Sequence, residues 1–354
     1  MTYPPLHTAD RATVQLPGIF QKYRENISDA TRRGLSGNTV GVYNMLRYYM
    51  GWVDVDGTPR VTTEGKALRP TLCLFACEAT GGSINQAMPA AVALEFVHNF
   101  SLIHDDIQDG DETRHHRPTL WVAWGVPKAL VAGNVLRVAA DMSLEGLVGE
   151  GVEVEQALSV IGLLTEAYLE MIEGQYLDLS YEGRPDISLD DYLGMISRKT
   201  GALIRCALHM GAMLGTDAPA TVGAFRNFGK SLGYVFQIRD DVLGVWGDED
   251  TTGKPVGADI RRKKSSIPVV YAMSQAKGED RQLLVEAYRK ERLNDDDVSL
   301  VLDVMARVKA KDYAQSLTAE HGDRALKALD EVELAPVIRQ QMEELVHFLR
   351  VRQH

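Results

Sequence analysis

Residues 157–179 read ALSVIGLLTEAYLEMIEGQYLDL, and residues 189–214 read LDDYLGMISRKTGALIRCALHMGAML. In both, apolar residues return every three or four positions, the spacing that lines one face of an α-helix. Segment after segment of the chain repeats this period. Strand-like alternation is nearly absent, and no Asn-Gly turn stands between alternating runs. The 13 prolines cluster between periodic segments instead of punctuating short strands. Breaks fall at GWVDVDGTPR, ATGGSIN, RHHRPT, YEGRPDIS, GTDAPA and DTTGKPVGAD. Ser188, followed by Asp190 and Asp191, reads as a helix start with an acidic first turn. No break has the length of a domain linker. The expectation is an all-α fold: an N-terminal arm and first helix start over residues 1–35, then a single all-helical domain over residues 36–354 with roughly ten or more helices.

The 354 residues are enough for a substantial core. A net charge of −11 argues against a broad nucleic-acid-binding surface. The cysteines Cys73, Cys77 and Cys206 are too few for a disulfide framework, and a lone CxxxC pair makes a poor zinc site, so buried structural cysteines are expected. The first residues carry no basic region followed by an apolar stretch, and no uninterrupted apolar run would span a bilayer. A cytoplasmic protein with no stable membrane insertion is expected.

The helical pattern is interrupted electrostatically at residues 101–119, SLIHDDIQDGDETRHHRPT. Asp105, Asp106 and Asp109 stand at i, i+1 and i+4. On a helix Asp105 and Asp109 lie one above the other, about 40° apart, with Asp106 beside them. Three carboxylates on one face are costly unless a cation sits over them, and an all-oxygen set suits Mg²⁺ with waters and substrate phosphates in its shell. A lone DDxxD is as easily a solvated helix end. A second set stands in residues 236–244, FQIRDDVLG, where Gln237, Asp240, Asp241 and Gly244 form another stripe on an otherwise apolar helix. Two such helices facing each other would hold Mg²⁺ ions that neutralise a diphosphate and make it a leaving group.

The cations are grouped as well. Lys66 and Arg69 lie three residues apart in EGKALRP; Arg114, His115, His116 and Arg117 follow the first acidic set. Lys199 precedes Thr200 in SRKTGAL, and Lys254 opens a glycine-containing loop that ends in Arg-Arg-Lys-Lys at Lys264. Each alone is an ordinary surface charge; together they suggest phosphate binding. The loop does not fit the GxxxxGK[ST] pattern of a nucleotide-hydrolysing P-loop.

GKALRP, LEFVHNFSLIHDDIQD, TRHHRPT, EGQYLDL, RKTGAL, FQIRDD and GKPVGADIRRKKSSIP follow one another in the order found in the trans-isoprenyl diphosphate synthases, or polyprenyl synthetases. The chain resembles that family, most like its geranylgeranyl diphosphate synthases. The resemblance implies an all-α isoprenoid synthase fold around a deep cavity, a homodimer, and about three Mg²⁺ ions per site, with Mn²⁺ able to substitute. It also implies the reaction: an allylic diphosphate (dimethylallyl, geranyl or farnesyl) ionises, isopentenyl diphosphate attacks the cation, and a proton is lost to the released diphosphate. By position, Asp105, Asp106, Asp109, Asp240 and Asp241 would hold the metals. Arg114, Lys199, Lys254 and Lys264 would grip the allylic diphosphate. Lys66, Arg69 and His98 would grip isopentenyl diphosphate. Thr200 and Gln237 would turn oxygen dipoles towards the allylic cation, with Gln175 and Asp178 in support.

Two positions depart from the family pattern. His115 stands where a second arginine is usual, which leaves either His115 or Arg117 to meet isopentenyl diphosphate. Gly244 replaces the third aspartate of the second set. Asp111 and Glu112 have no assigned role beyond solvated loop charges. DDxxD without an insertion, with Phe100 five residues before it and Ser101 four before, resembles the family's twenty-carbon synthases and makes Phe100 the expected cavity floor. A fifteen-carbon farnesyl product is the alternative. A class I terpene cyclase would carry a different second metal motif and would not need Lys66, Arg69 and His98. A non-catalytic regulatory subunit would be expected to lose the acidic sets, and both are present.

Overall fold

The computed structural model describes residues 16–60, 67–247 and 255–352. Helices make up nearly all of the regular structure. They are α1 (Gly18–Gly34), α2 (Gly41–Tyr49), α3 (Leu68–Ala79), α4 (Ile84–Gln108), α5 (Leu120–Trp124), α6 (Val126–Gly149), α7 (Val154–Tyr181) and α8 (Leu189–Ile196). A π-helical turn, Ser197–Gly201, joins α8 to α9 (Ala202–Gly215). Then come α10 (Pro219–Trp246), α11 (Ala258–Arg261), α12 (Ile267–Gln275), α13 (Gly278–Arg289), α14 (Asp295–Arg307), α15 (Ala310–Lys327) and α16 (Pro336–Val351). The all-α expectation holds.

Local chemistry explains several of the starts. Ser188 caps α8 as expected: its hydroxyl accepts from the Asp191 N–H at 3.1 Å while the Asp191 carboxylate accepts from the Ser188 N–H. Ser83 with Gln86 and Asn294 with Asp297 make the same reciprocal box at α4 and α14, each satisfying two backbone donors that a bare helix end would leave open. The main core runs between α3, α4, α6, α9 and the first half of α10. A separate cluster fills the space between α12, α13 and α14. Cys73, Cys77 and Cys206 are buried free thiols, as expected.

Within this frame α9 packs against both helices that carry the acidic sets, α4 and α10. Alongside it, α7 meets the π-helical turn, and the contact requires a glycine. A Cβ at Gly174 would fall 2.2 Å from the Lys199 backbone nitrogen, so the glycine of EGQYLDL lets α7 touch the turn that displays Lys199 and Thr200. An isolated π-turn widens a helix and swings its side chains off the regular face, and such turns recur at functional sites.

One element differs from the expectation of helices alone. Thr113–Arg114 and Arg117–Pro118 pair as a short antiparallel hairpin. Its two turn residues, His115 and His116, both have positive φ, 50° and 60°. A two-residue hairpin needs that left-handed pair, and Asn-Gly is its usual signature. Histidine tolerates the left-handed region better than most residues, so the turn forms without the sequence signal.

Candidate active site

The first acidic set ends α4. Burial pushes the Asp105 carboxyl up to about 7 against the pull of Lys199, and the neighbouring charge of Asp109 adds to the rise. Asp106 is almost wholly buried. Its Oδ1 accepts from Arg114 Nε at 2.8 Å and lies 2.7 Å from Arg114 Nη2; its Oδ2 has no partner among the described residues. Asp109 caps the helix at the surface.

Opposite, the π-turn Lys199 is ion-paired with Asp178 of α7. Thr200 Oγ1 donates to Gln237 Oε1 at 2.5 Å, and Gln237 Nε2 donates to Asp241 Oδ1 at 3.0 Å. Asp241 is fully buried: its Oδ2 accepts from the Tyr192 hydroxyl and, at 3.0 Å, from the Ile267 N–H at the start of α12. Its carboxyl is raised to about 6 by burial, partly offset by Lys264. Despite the cost of its own burial, Lys264 is held above its ordinary range by Asp259, Asp241, Asp178 and Asp240. Asp109 also lies within the field of Lys264. Lys199 and Lys264 therefore sit between the two acidic helices, which share one mouth.

Gly244 has a physical explanation. A Cβ there would fall 2.1 Å from Asp259 Oδ2. A carboxylate from α11 already fills the place of the missing third aspartate.

Further back along the same face of α4 lies a cavity of about 800 Å³, lined among others by Arg69, His98, Arg114, His115 and Arg352. Arg69 is buried with its Nε unpartnered among the described residues. Burial lowers its guanidinium to about 10, with Glu95 and Asp240 pulling the other way. His98 is pushed down by burial, then by Arg69 and Arg114. A cavity that buries cations at a cost to their own charge is suited to an anion that repays it.

Arg117 also borders this cavity, but its guanidinium is committed to the fold. Nη1 donates to the Tyr48 carbonyl and Nη2 to the Val53 carbonyl, each at 2.8 Å, and the group stacks 3.8 Å from the centre of the Tyr48 ring. His115 sits at the tip of the hairpin and lines the cavity, and burial together with Arg114 and His116 holds its imidazole below its usual range. Both residues left open by the sequence border the cavity, and of the two it is Arg117 whose guanidinium is held by backbone carbonyls.

The supporting residues divide. Gln175 Nε2 donates to Gln108 Oε1 at 2.9 Å, bridging α7 to the end of α4, and its buried Oε1 lacks a partner among the described residues. Ser101 turns its hydroxyl back to the His98 carbonyl at 2.8 Å. Phe100 is buried, edge-on to His104 with ring centres 4.8 Å apart. Lys66 and Lys254 lie outside the described residues. Asp111 is more than a solvated charge: it pairs with Arg262 at 2.6 Å and its carbonyl accepts from Thr119 and Trp121.

Sequence reasoning missed Arg352. It is buried at the C-terminal end of α16, is ion-paired with Asp240, and donates to the Phe236 carbonyl at 3.2 Å. Arg239 in turn donates to the Arg352 carbonyl at 2.8 Å. No motif surrounds Arg352, so only the tertiary fold brings it to the site.

Among the described residues, no three His, Cys, Asp or Glu side chains are gathered as a closed metal cage. Asp106 faces Arg114 and Asp240 faces Arg352. Mg²⁺ is commonly held by one or two carboxylates with substrate phosphates and water completing the shell. The Asp106 oxygen that lacks a partner among the described residues, with Asp105 and Asp109 beside it at the end of α4, fits that kind of site.

A sequence model of the polyprenyl synthetase family matches residues 58–305. The chain belongs to this family, that of the trans-isoprenyl diphosphate synthases. It is 38% identical over 256 residues to a geranylgeranyl diphosphate synthase of Mycobacterium tuberculosis, a span of 72% of each chain. It is 32% identical over 354 residues to a (2E,6E)-farnesyl diphosphate synthase of the same organism, covering 99% of this chain and 97% of the relative. The crystal structure of a polyprenyl synthetase from Streptomyces coelicolor superposes with a TM-score of 0.86 at 32% identity, over 94% of this chain and 98% of that one. The protein is a prenyltransferase with the isoprenoid synthase fold.

Proposed function

We propose that the protein condenses isopentenyl diphosphate head-to-tail with dimethylallyl, geranyl or farnesyl diphosphate, with Mg²⁺, to give geranylgeranyl diphosphate. The observation that carries this is the pairing of two sites on one helix. Carboxylates and Lys199 stand at the end of α4, and a cavity lined by Arg69, His98 and His115 opens beside them along the same face of the helix. One suits a metal-bound diphosphate that must leave; the other suits a diphosphate that must stay.

Asp105, Asp106, Asp109 and Asp240 would hold the metal, which, when bound, neutralises the departing diphosphate. Asp241 supports this set from its buried position through Gln237. Lys199, Arg114 and Lys264, with Lys254, hold the leaving group. The bond between the allylic carbon and the diphosphate oxygen breaks, and its electron pair leaves with the diphosphate. Thr200 and Gln237 turn oxygen dipoles to the resulting cation. The terminal alkene carbon of isopentenyl diphosphate, held by Arg69, His98 and Lys66, forms the new bond. A proton then passes to the released diphosphate, which restores the double bond.

Phe100 is proposed as the floor. It lies five residues, about 7.5 Å of helix rise, before Asp105 and about 140° round the helix from it, so the assignment rests on the family pattern more than on helical spacing. Phe100→Ala is expected to lengthen the main product by at least about one five-carbon unit, because burying the extra carbons is favourable once space exists. Mass spectrometry of the dephosphorylated alcohols checks this.

His115→Arg is expected to lower KM for isopentenyl diphosphate about fivefold, the worth of ~1 kcal/mol from an added charge-assisted hydrogen bond. KM for the allylic substrate should stay within twofold or so. Steady-state kinetics with each substrate varied in turn decides it.

A homodimer is proposed from the exposed apolar side chains of α6 and α7. Val131, Val138, Met142, Leu158, Leu169 and Tyr176 are all at least half exposed, more apolar surface than a solitary pair of helices ordinarily shows. Among the described residues no helix is long and apolar enough to cross a membrane.

The function is tested by incubating purified protein with Mg²⁺, isopentenyl diphosphate and each allylic primer, then weighing the dephosphorylated products. A twenty-carbon alcohol is expected. A fifteen-carbon end product would favour a farnesyl diphosphate synthase, the activity named for the second relative. No elongation with any primer would sink the proposal.

A further inference from the structure

Helices α4 and α6 pack closely, and at one point an imidazole takes the place of a side chain on the facing helix. A Cβ at Gly133 of α6 would fall 2.4 Å from His104 Nε2 and 2.6 Å from His104 Cδ2. The same Nε2 lies 3.3 Å from the Leu130 carbonyl oxygen, one turn earlier on α6. Since a carbonyl only accepts, that nitrogen carries the proton. The other side of the imidazole meets Phe100, with ring centres 4.8 Å apart and planes inclined by 68°. His104 and Phe100 are i and i+4 neighbours on one face of α4. The imidazole is thus wedged between the α6 backbone and the Phe100 ring.

We propose that Gly133 and His104 determine product length as positioning residues, by bracing Phe100. This rests on Phe100 acting as the floor of the product cavity. A growing chain gains by burying five more apolar carbons, whereas an unsupported phenyl ring loses comparatively little by leaving its preferred rotamer. A single ring without a brace would therefore yield to the chain. His104 blocks the space into which Phe100 would turn, and Gly133 provides the slot that holds His104 there. His104 touches no substrate in this scheme; it acts through Phe100.

The test compares product chain lengths of wild type, His104→Ala, Gly133→Ala and the double variant, each given Mg²⁺, isopentenyl diphosphate and farnesyl diphosphate. His104→Ala only removes atoms and should raise the share of products longer than wild type severalfold. Gly133→Ala drives the imidazole from its slot and should shift the distribution the same way. The double variant should match His104→Ala alone, because the glycine acts only through the histidine. His104→Phe, which keeps a ring in the slot, should retain the wild-type length. The ratio of products does not depend on how much enzyme is folded, so a general loss of stability would not imitate the shift. An unchanged distribution in His104→Ala, or a Gly133→Ala effect that persists without His104, would overturn the brace. Wild type failing to elongate at all would instead overturn the proposed function.

Discussion

Asp105→Asn is expected to lower kcat about a thousandfold, the equivalent of ~4 kcal/mol, with the fold intact. The substitution keeps the shape of the side chain and one acceptor oxygen but removes the charge that would face the metal. Without metal the variant should be at least as stable as wild type. Burial holds the Asp105 carboxyl at about 7 in the folded chain, above the ordinary unfolded value of about 3.9. Between those values the unfolded chain gives up its proton while the folded chain keeps it, so this group lowers stability as pH rises. Asparagine has no such term. The gap in Tm between variant and wild type should therefore widen from pH 5 to pH 8. Adding Mg²⁺ with inorganic diphosphate should raise the Tm of wild type and leave the variant nearly unmoved, since a ligand stabilises only the state that binds it. A variant that keeps both full turnover and the metal-dependent rise would remove Asp105 from the site.

Carboxylates that are wholly or partly withdrawn from water cost stability until a cation meets them, and this is why the acidic sets are legible in the amino-acid sequence. Asp105, Asp106 and Asp109 stand out because carboxylates rarely occupy an apolar helix without a purpose, and helical spacing alone places them on one face. The same logic identifies Asp240 and Asp241, yet spacing does not tell their environments apart. Asp240 is partly exposed and meets Arg352, whereas Asp241 is sealed beneath Tyr192 and the start of α12. That difference depends on which helices pack above, which is long-range information. The hairpin at His115 and His116 is hidden for another reason: its turn adopts left-handed backbone without the glycine or asparagine that usually reports it. Arg352 is invisible in the sequence because it lies at a helix end 112 residues from its partner. Gly174 and Gly133 read as ordinary helical glycines until the facing backbone or ring is in place.

Arg114→Ala is expected to cost about 3 kcal/mol of stability and to impair catalysis by a separate route. Both guanidinium contacts fall on one oxygen of Asp106, at 2.8 and 2.7 Å, and the Asp106 side chain is only 2% exposed. Removing the arginine leaves a buried carboxylate whose other oxygen already lacks a partner among the described residues. Breaking a buried pair from one side is costly because the remaining charge is uncompensated, whereas neutralising both sides relieves much of the penalty. Asp106→Asn combined with Arg114→Ala should therefore recover at least about half of the stability lost in Arg114→Ala, a coupling that a double-mutant cycle in urea would expose. Catalysis should not recover with it. Arg114 also lines the cavity beside His98 and His115, and the proposed metal set needs the Asp106 charge. The double variant should thus be clearly more stable than Arg114→Ala yet remain at least about a hundredfold slower than wild type. Equal recovery of stability and turnover would mean that the Arg114–Asp106 pair serves the fold alone. Stability and turnover separate here because the pair forms one ionic joint between α4 and the hairpin, with the Asp106 carboxylate buried and the Arg114 side chain lining the cavity.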